Sequence, residues 1–351
     1  MNRPSTVPET GIPGFGEAFT DHMVTLSWAA DTGWTTPKVR PYGDLTVNPA
    51  MVGLHYGQVV FEGLKAHRQT DGSIALFRPG MHAHRFQRSA RRLAMPELPE
   101  DLFRRAAEDL VREDGHHLPD DPALSLYLRP VLFAAEPCLA LRPAREYQFV
   151  LLAFVTGGFF GTRPEPVPVM VSRRYSRAAP GGTGHAKSAG NYAASYLAQL
   201  EAEAAGCKQV VWLDAAERRW VEELGATNLF FVRGSGPDAT VVTPTLTGTL
   251  LPGITRDSLL VLATDLGYAP AEERVSLDQW RTECRSGVMT ESFACGTAAV
   301  VTPVGRVHDE EGDWTVGNGE PGDVTVALRD ALVAIQRGQA PDLHHWMSTV
   351  G

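Results

Sequence analysis

Apolar residues recur at helical spacing in PEDLFRRAAEDLVREDG, residues 99 to 115, where Leu102, Phe103, Ala106, Ala107, Leu110 and Val111 share one face. Gly115 is the expected stop. Strand patterns flank this helix: SIALFRP (73 to 79) and LSLYLRPVLFA (124 to 134) carry alternating or continuous apolar residues. The longest apolar run, FVLLAFVTGGFF (149 to 160), is too short to span a bilayer and contains a Gly pair. It predicts a buried strand followed by a turn. Turn residues then crowd GTRPEPVPV, so residues 161–174 are expected to link a domain over 1–160 to one over 175–351. The second half predicts one helix over NYAASYLAQLEAEAAG, stopped by Gly206. Strands follow in CKQVVWLD, RWVEE and TNLFFVRG, and a further helix in ITRDSLLVLATDLG (254 to 267) ends at Gly267. Strands and helices mixed in this way, without internal repeats, predict an α/β or α+β fold in two domains of similar size.

Composition narrows the partners. The 351 residues are 43% hydrophobic and 21% charged, values of a soluble globular protein. A formal net charge of −9, from 41 acidic and 32 basic side chains, argues against nucleic acid. The N-terminal MNRPSTVPETGIPGFGEAF has no apolar core after a basic start, so neither a signal peptide nor a membrane partner is expected. Cys138, Cys207, Cys284 and Cys295 are scattered and form no C-x-x-C, which suits reduced thiols in a cytoplasmic compartment. His82 and His84, His116-His117 and His344-His345 fall in no H-E-x-x-H pattern, and no metal is expected.

The stretch GGTGHAKSAGNYA (181 to 193) carries the candidate chemistry. It fits the phosphate-loop template G-x-x-x-x-G-K-[ST] except that Ala186 replaces the last Gly. The apolar VVWLD (210 to 214) could then be the strand whose Asp positions magnesium in a nucleotide hydrolase. Against this, RRYSRAAP separates the nearest strand from Gly181, and the Ala186 methyl would obstruct backbone approach to a phosphate. A solvated surface lysine is the plain alternative. A third is covalent chemistry: an amine among apolar neighbours and other cations becomes a nucleophile towards aldehydes, as in pyridoxal phosphate Schiff bases. Such a site also needs a carboxylate for the pyridine nitrogen, a donor for the ring oxygen, and an Arg with helix-start amides for the phosphate. Glu222 or Glu223, Tyr192, Arg85 and the Gly-preceded helix start at Thr255 are candidates.

These residues lie in motifs that resemble the branched-chain-amino-acid aminotransferases of the fold-type IV pyridoxal phosphate enzymes. The likeness rests on FGEAFTDHM, LHYGQVVFEGLKA, LFRPGMHAHRFQRSA, SLYLRPVLFAAEP, GGTGHAKSAGNYA, QVVWLDAAERRWVEELGATNLFF, LLPGITRDSLL and FACGTAAVVTPV. It implies a small N-terminal α/β domain, a larger C-terminal domain with a barrel-like sheet, and a homodimer acting on amino acids and 2-oxo acids. It implies that Lys187 bonds to the cofactor and shuttles the substrate proton. Glu223, in E-x-G-x-x-N, would pair with the pyridine nitrogen and Tyr192 with the ring oxygen. Arg85, Ile254, Thr255 and Thr297 would hold the phosphate. Tyr127 and the Thr297-Ala298 amides would meet the substrate carboxylate. Arg129, with Tyr56 from the other subunit, would take glutamate's distal carboxylate, Arg129 staying hydrogen-bonded when glutamate is absent. Phe15, Phe61 and Phe159 would line the apolar pocket.

Several positions depart from the family pattern: Phe159 for Tyr, His67 in KAHR, Ala226-Thr227 before Asn228, Ser292, and His185 and Ser188 around Lys187. Ala299 and Thr302 stand where some members carry C-x-x-C. The departures are either neutral drift or a pocket retuned for an unusual β-branched or aromatic amino acid. Related lyases, D-amino-acid aminotransferases and a cofactor-free binding protein are the remaining alternatives.

Overall fold

The computed structural model describes residues 14–157 and 165–351. Packing divides the chain into two units. The first comprises Met1–Phe159, Ala186–Gly190 and Ile335–Gly351, and the second Phe160–His185 and Asn191–Ala334. Chain order begins with β1 (His22–Ala29), β2 (Gly33–Trp34), β3 (Lys38–Pro41), α1 (Val52–Tyr56), β4 (Val59–Phe61), β5 (Leu64–Arg68) and β6 (Ile74–Phe77). Helices α2 (Pro79–Arg92) and α3 (Glu100–Asp114) and strands β7 (Ser125–Ala134) and β8 (Glu146–Thr156) follow. Then come β9 (Val167–Ser172), α4 (Ala189–Ala193), α5 (Tyr196–Ala204), β10 (Gln209–Leu213), β11 (Val221–Leu224), β12 (Thr227–Arg233) and β13 (Thr240–Pro244). The chain ends with α6 (Ile254–Asp265), β14 (Ala269–Glu273), α7 (Leu277–Ser286), β15 (Met289–Gly296), β16 (Val300–His308), β17 (Trp314–Thr315), α8 (Asp323–Gln336) and β18 (Met347–Val350).

In the first unit an antiparallel sheet runs in the order β18-β6-β5-β7-β8-β1-β2, with β3 on β1 and β4 on β7. The apolar stripe predicted over 99–115 forms α3, and it packs with α2 over the sheet. Phe86 of α2 lies 5.6 Å from Phe103 of α3 and 5.8 Å from Phe149 of β8, ring centre to ring centre. All three rings are buried.

The second unit carries the order β11-β10-β9-β16-β15-β12-β13-β14, and β11 also pairs with β12. That pairing closes β11, β10, β9, β16, β15 and β12 into a ring, the barrel-like sheet that the resemblance implies. Trp280 of α7 fills its side, edge-on to Phe231 at 5.2 Å and Trp314 at 5.4 Å.

Three expectations change. Residues 167–172 of the expected linker are β9, which runs parallel to both β10 and β16. Pro168 lacks an N–H for the ladder, and a bulge between Val304 and Arg306 accommodates it. The domain over 175–351 also loses two segments to the first unit. Met347–Val350 pairs with β6, and Ser188 bridges to Val60. The single helix over 191–206 is two, α4 and α5. Ser195 Oγ donates to the Tyr192 carbonyl at 2.6 Å and takes the acceptor that a continuing helix would need.

Ser292 has a packing role: its Oγ accepts the buried Trp280 indole N–H at 3.0 Å. We expect Ser292→Val to orphan that donor and cost about 1–3 kcal/mol in urea unfolding. Trp280→Ala should cost about 3–5 kcal/mol in the same measurement.

Candidate active site

Lys187 belongs to the first unit. Its backbone N–H donates to Ser89 Oγ of α2 at 2.9 Å, and its carbonyl accepts from the Phe61 N–H at 3.0 Å. Its Nζ stands 4.8 Å from the centre of the Phe61 ring. The lysine is therefore held by backbone bonds on both sides, with its amine against an aromatic face.

Behind this segment lies a carboxylate that the sequence reading did not single out. Glu62 is shut off from water. Arg85 clamps it in a bidentate pair, Nε to Oε1 at 2.6 Å and the second nitrogen to Oε2 at 2.8 Å. His82 Nδ1 lies 2.7 Å from Oε2, and the Gly63 N–H donates to the same oxygen at 3.0 Å. Burial alone would raise the Glu62 pKa, but Arg85 and His82 outweigh it and hold the carboxyl well below the usual range. Burial also keeps His82 below its ordinary value, partly offset by Glu62. His82, Arg85 and Ser89 recur three and four residues apart on a helix face otherwise filled by Ala83, Phe86 and Ala90. A polar row inside a buried face is the signal that could have exposed the cluster.

Four of the expected pocket residues meet in the first unit. Phe15 packs edge-on to Tyr127 at 5.0 Å and to Phe154 at 4.9 Å, and Phe154 stacks on Tyr127. The Arg129 guanidinium sits 5.1 Å from the Phe61 ring centre and 5.4 Å from that of Tyr127. Its Nε is buried without an acceptor among the described residues. Gly63 is required beside them, because a Cβ there would lie 1.8 Å from the Tyr127 hydroxyl. Tyr56 stands apart: it is exposed on α1 and donates to the Leu139 carbonyl at 2.9 Å. Phe159 lies outside the described residues.

His67 is buried on β5, with neither ring nitrogen bonded among the described residues. Burial, then the Lys65 and Arg337 charges, keep it well below its ordinary pKa. Lys65 itself is brought down to about 7, by burial first and Arg337 second.

The second unit presents Glu223, also buried. It accepts the Leu251 N–H at 2.5 Å and the Asn228 amide at 3.5 Å. Arg177 Nε lies 3.0 Å from its other oxygen, as an ion pair without an aligned hydrogen bond. The neighbouring Glu222 points to the opposite face, as strand alternation requires. There, burial raises its pKa, opposed by Thr249 and Arg177. Gly253 precedes α6 because a Cβ would meet Asn228 Oδ1 at 1.9 Å, and the first turn holds Ile254 and Thr255 without a side-chain cap. Thr297 and Ala298 form the turn between β15 and β16, and Tyr192 lies on α4. Thr227 Oγ1 donates to the Leu224 carbonyl at 2.6 Å, so this departure, with Ala226, closes the β11–β12 turn. His185 Nδ1 is 3.1 Å from the Gly248 carbonyl.

The phosphate-loop reading does not survive. Strand β9 ends at Ser172, well before Gly181. Asp214 is a turn residue, accepting the N–H groups of Glu217, Arg219 and Trp220 at 2.7, 3.0 and 2.8 Å.

The Lys187 amine and the Arg129 guanidinium thus share the Phe61 ring within one unit. The model of the class IV amino-transferases matches residues 59–307. A branched-chain-amino-acid aminotransferase of Mycolicibacterium smegmatis is 54% identical over 339 residues, covering 96% of this chain and 92% of that one. The branched-chain amino acid aminotransferase of Escherichia coli superposes with a TM-score of 0.79 at 28% identity, over 95% of this chain and 100% of that one. The branched-chain aminotransferase of the thermophilic archaeon Thermoproteus uzoniensis, solved with norvaline, gives 0.75 at 25% identity, over 93% and 100%. The chain belongs to the class IV aminotransferases and, among them, to the family of the branched-chain-amino-acid aminotransferases.

Glu62 is ionised above its ordinary pKa of 4.5, and its contribution to stability drains away as pH falls from there towards the depressed folded value. We expect Glu62→Gln to cost about 3 kcal/mol or more at pH 7, because Arg85 loses a buried counter-charge. The loss should shrink in urea titrations at successively lower pH below 4.5.

Proposed function

We propose that this chain transfers the amino group between branched-chain L-amino acids and 2-oxoglutarate, using pyridoxal phosphate. The 54% identity to a relative of that name, over nearly the whole of both chains, carries the reading. Support comes from the gathering of Lys187, Phe61, Tyr127 and Arg129.

Bound pyridoxal phosphate supplies an electron sink that acidifies the amino-acid α-carbon. The residues fit it on two observations: a buried carboxylate at Glu223 that already carries a cationic partner, and a lysine amine facing a ring. Lys187 would carry the cofactor and move the substrate's α-carbon proton through Nζ. Glu223 would face the pyridine nitrogen and Tyr192 the ring oxygen. Arg85, with the turn at Ile254 and Thr255 and with Thr297, would hold the phosphate.

Tyr127 and the Thr297-Ala298 amides orient the substrate carboxylate. Arg129 Nε, buried and without an acceptor among the described residues, suits the distal carboxylate of glutamate. Phe15, Phe61 and Phe159 give the apolar walls that leucine-type side chains need. One pocket serves both substrates because the ring faces hold the arginine's charge when no carboxylate is present.

The described residues include no helix long and apolar enough to cross a membrane. We place the enzyme in the cytoplasm on its four unpaired thiols. We also infer a homodimer in which Tyr56 reaches the neighbouring active site. Leu54, Tyr56, Leu139 and Leu141 are exposed, and the Tyr56–Leu139 bond joins α1 to the loop that carries the last two.

Purified holoenzyme should show a visible absorption band that borohydride abolishes and Lys187→Ala lacks. With 2-oxoglutarate as acceptor, kcat/KM should be highest for leucine, isoleucine and valine. A colourless protein that stays inactive with added pyridoxal phosphate would overturn the cofactor reading, and preference for an aromatic donor would overturn the substrate. Leu54→Asp should convert a dimer of 38.1 kDa chains to monomer in light scattering and lower activity with it.

A further inference from the structure

The first unit brings Asp21 together with the adjacent pair His116 and His117, far apart from it in sequence. Asp21, just before β1, meets His116 and His117 in the turn after α3. One ligand atom from each lies within 4.8 Å of the others. His117 Nε2 is 3.0 Å from Asp21 Oδ2, and the two imidazole centres are 4.1 Å apart. We propose that these residues bind a divalent transition-metal ion of the zinc type.

The donor set and its support favour this over a chance cluster. Two imidazoles and one carboxylate suit zinc, with water completing the shell, at metal–ligand distances of about 2.0–2.2 Å. His116 Nδ1 is engaged by the Glu113 carbonyl at 3.0 Å, which leaves Nε2 as the nitrogen available to an ion. An ion would replace the proton between His117 Nε2 and Asp21.

The two segments are also pre-positioned. Buried Asp114 accepts the His22 N–H at 2.9 Å and lies 2.7 Å from His22 Nδ1, tying the start of β1 to the end of α3. The Asp21 carbonyl accepts the Tyr42 N–H at 2.7 Å and anchors the ligand's backbone. Little ordering remains for an ion to impose. The ion would clip residue 21 to residues 116 and 117 and stabilise the first unit by binding only its folded form.

The test uses holoenzyme stripped with a chelator and titrated with Zn2+ by calorimetry, with thermal unfolding in parallel. We expect one ion per chain and a Tm that rises with Zn2+. His116→Ala, an exposed position, and Asp21→Asn should each weaken binding about tenfold or more and abolish the rise, with transamination unchanged. His344→Ala, in the other histidine pair, should leave binding intact. Absence of binding to the wild type, or binding that persists unchanged in His116→Ala, overturns the proposal.

Discussion

A carboxylate with no access to water holds the surroundings of Lys187 together. Glu62 follows directly on Phe61, and its two oxygens are taken by Arg85, His82 and the Gly63 amide. That cluster pins α2 to the end of β4. The same helix offers Ser89 to the Lys187 N–H, and the same strand offers the Phe61 N–H to the Lys187 carbonyl. The lysine's position thus rests on a buried ion pair whose members touch one another and not the amine. Such pairs contribute little net stability against an apolar replacement, but they fail expensively when half is removed. Their value here is positional.

A second constraint operates in the barrel-like unit. Glu222 and Glu223 are consecutive acids on one strand, both buried, and the two-residue period of the strand sends them to opposite faces. Glu223 faces Arg177, the Leu251 amide and Asn228, surroundings that favour its charge. Glu222 faces the Thr249 hydroxyl, and burial shifts it towards the neutral form. Adjacent residues of one type acquire different chemistry from the face they occupy.

Much of the fold was legible along the chain. The apolar stripe of α3, the strands around Leu76 and Leu128, and the helix opening at Ile254 follow from short-range periodicity, which tertiary context did not override. The misreadings share a cause. Pro168 made a strand look like a linker, and Ser195 let a broken helix look continuous, because each depends on which hydrogen bonds the surroundings complete. Lys187, Glu223, Tyr192 and Arg85 could be singled out through motif likeness. Glu62, His82, Ser89 and Arg177 could not, since their roles arise only where distant segments touch. Ser292 and Thr227, which the sequence left open between drift and a retuned pocket, have hydroxyls bonded to the Trp280 indole N–H and the Leu224 carbonyl.

The amino-acid sequence by itself determined the family, the secondary-structure periods and the residue types able to do the chemistry, because these depend on local spacing and on motifs that survive in linear order. Only the tertiary structure decided which groups are charged, which are buried and which are partnered. Burial and electrostatic pairing act through space, so the link from Glu62 to Arg85, or from Asp21 to His117, has no signature along the chain.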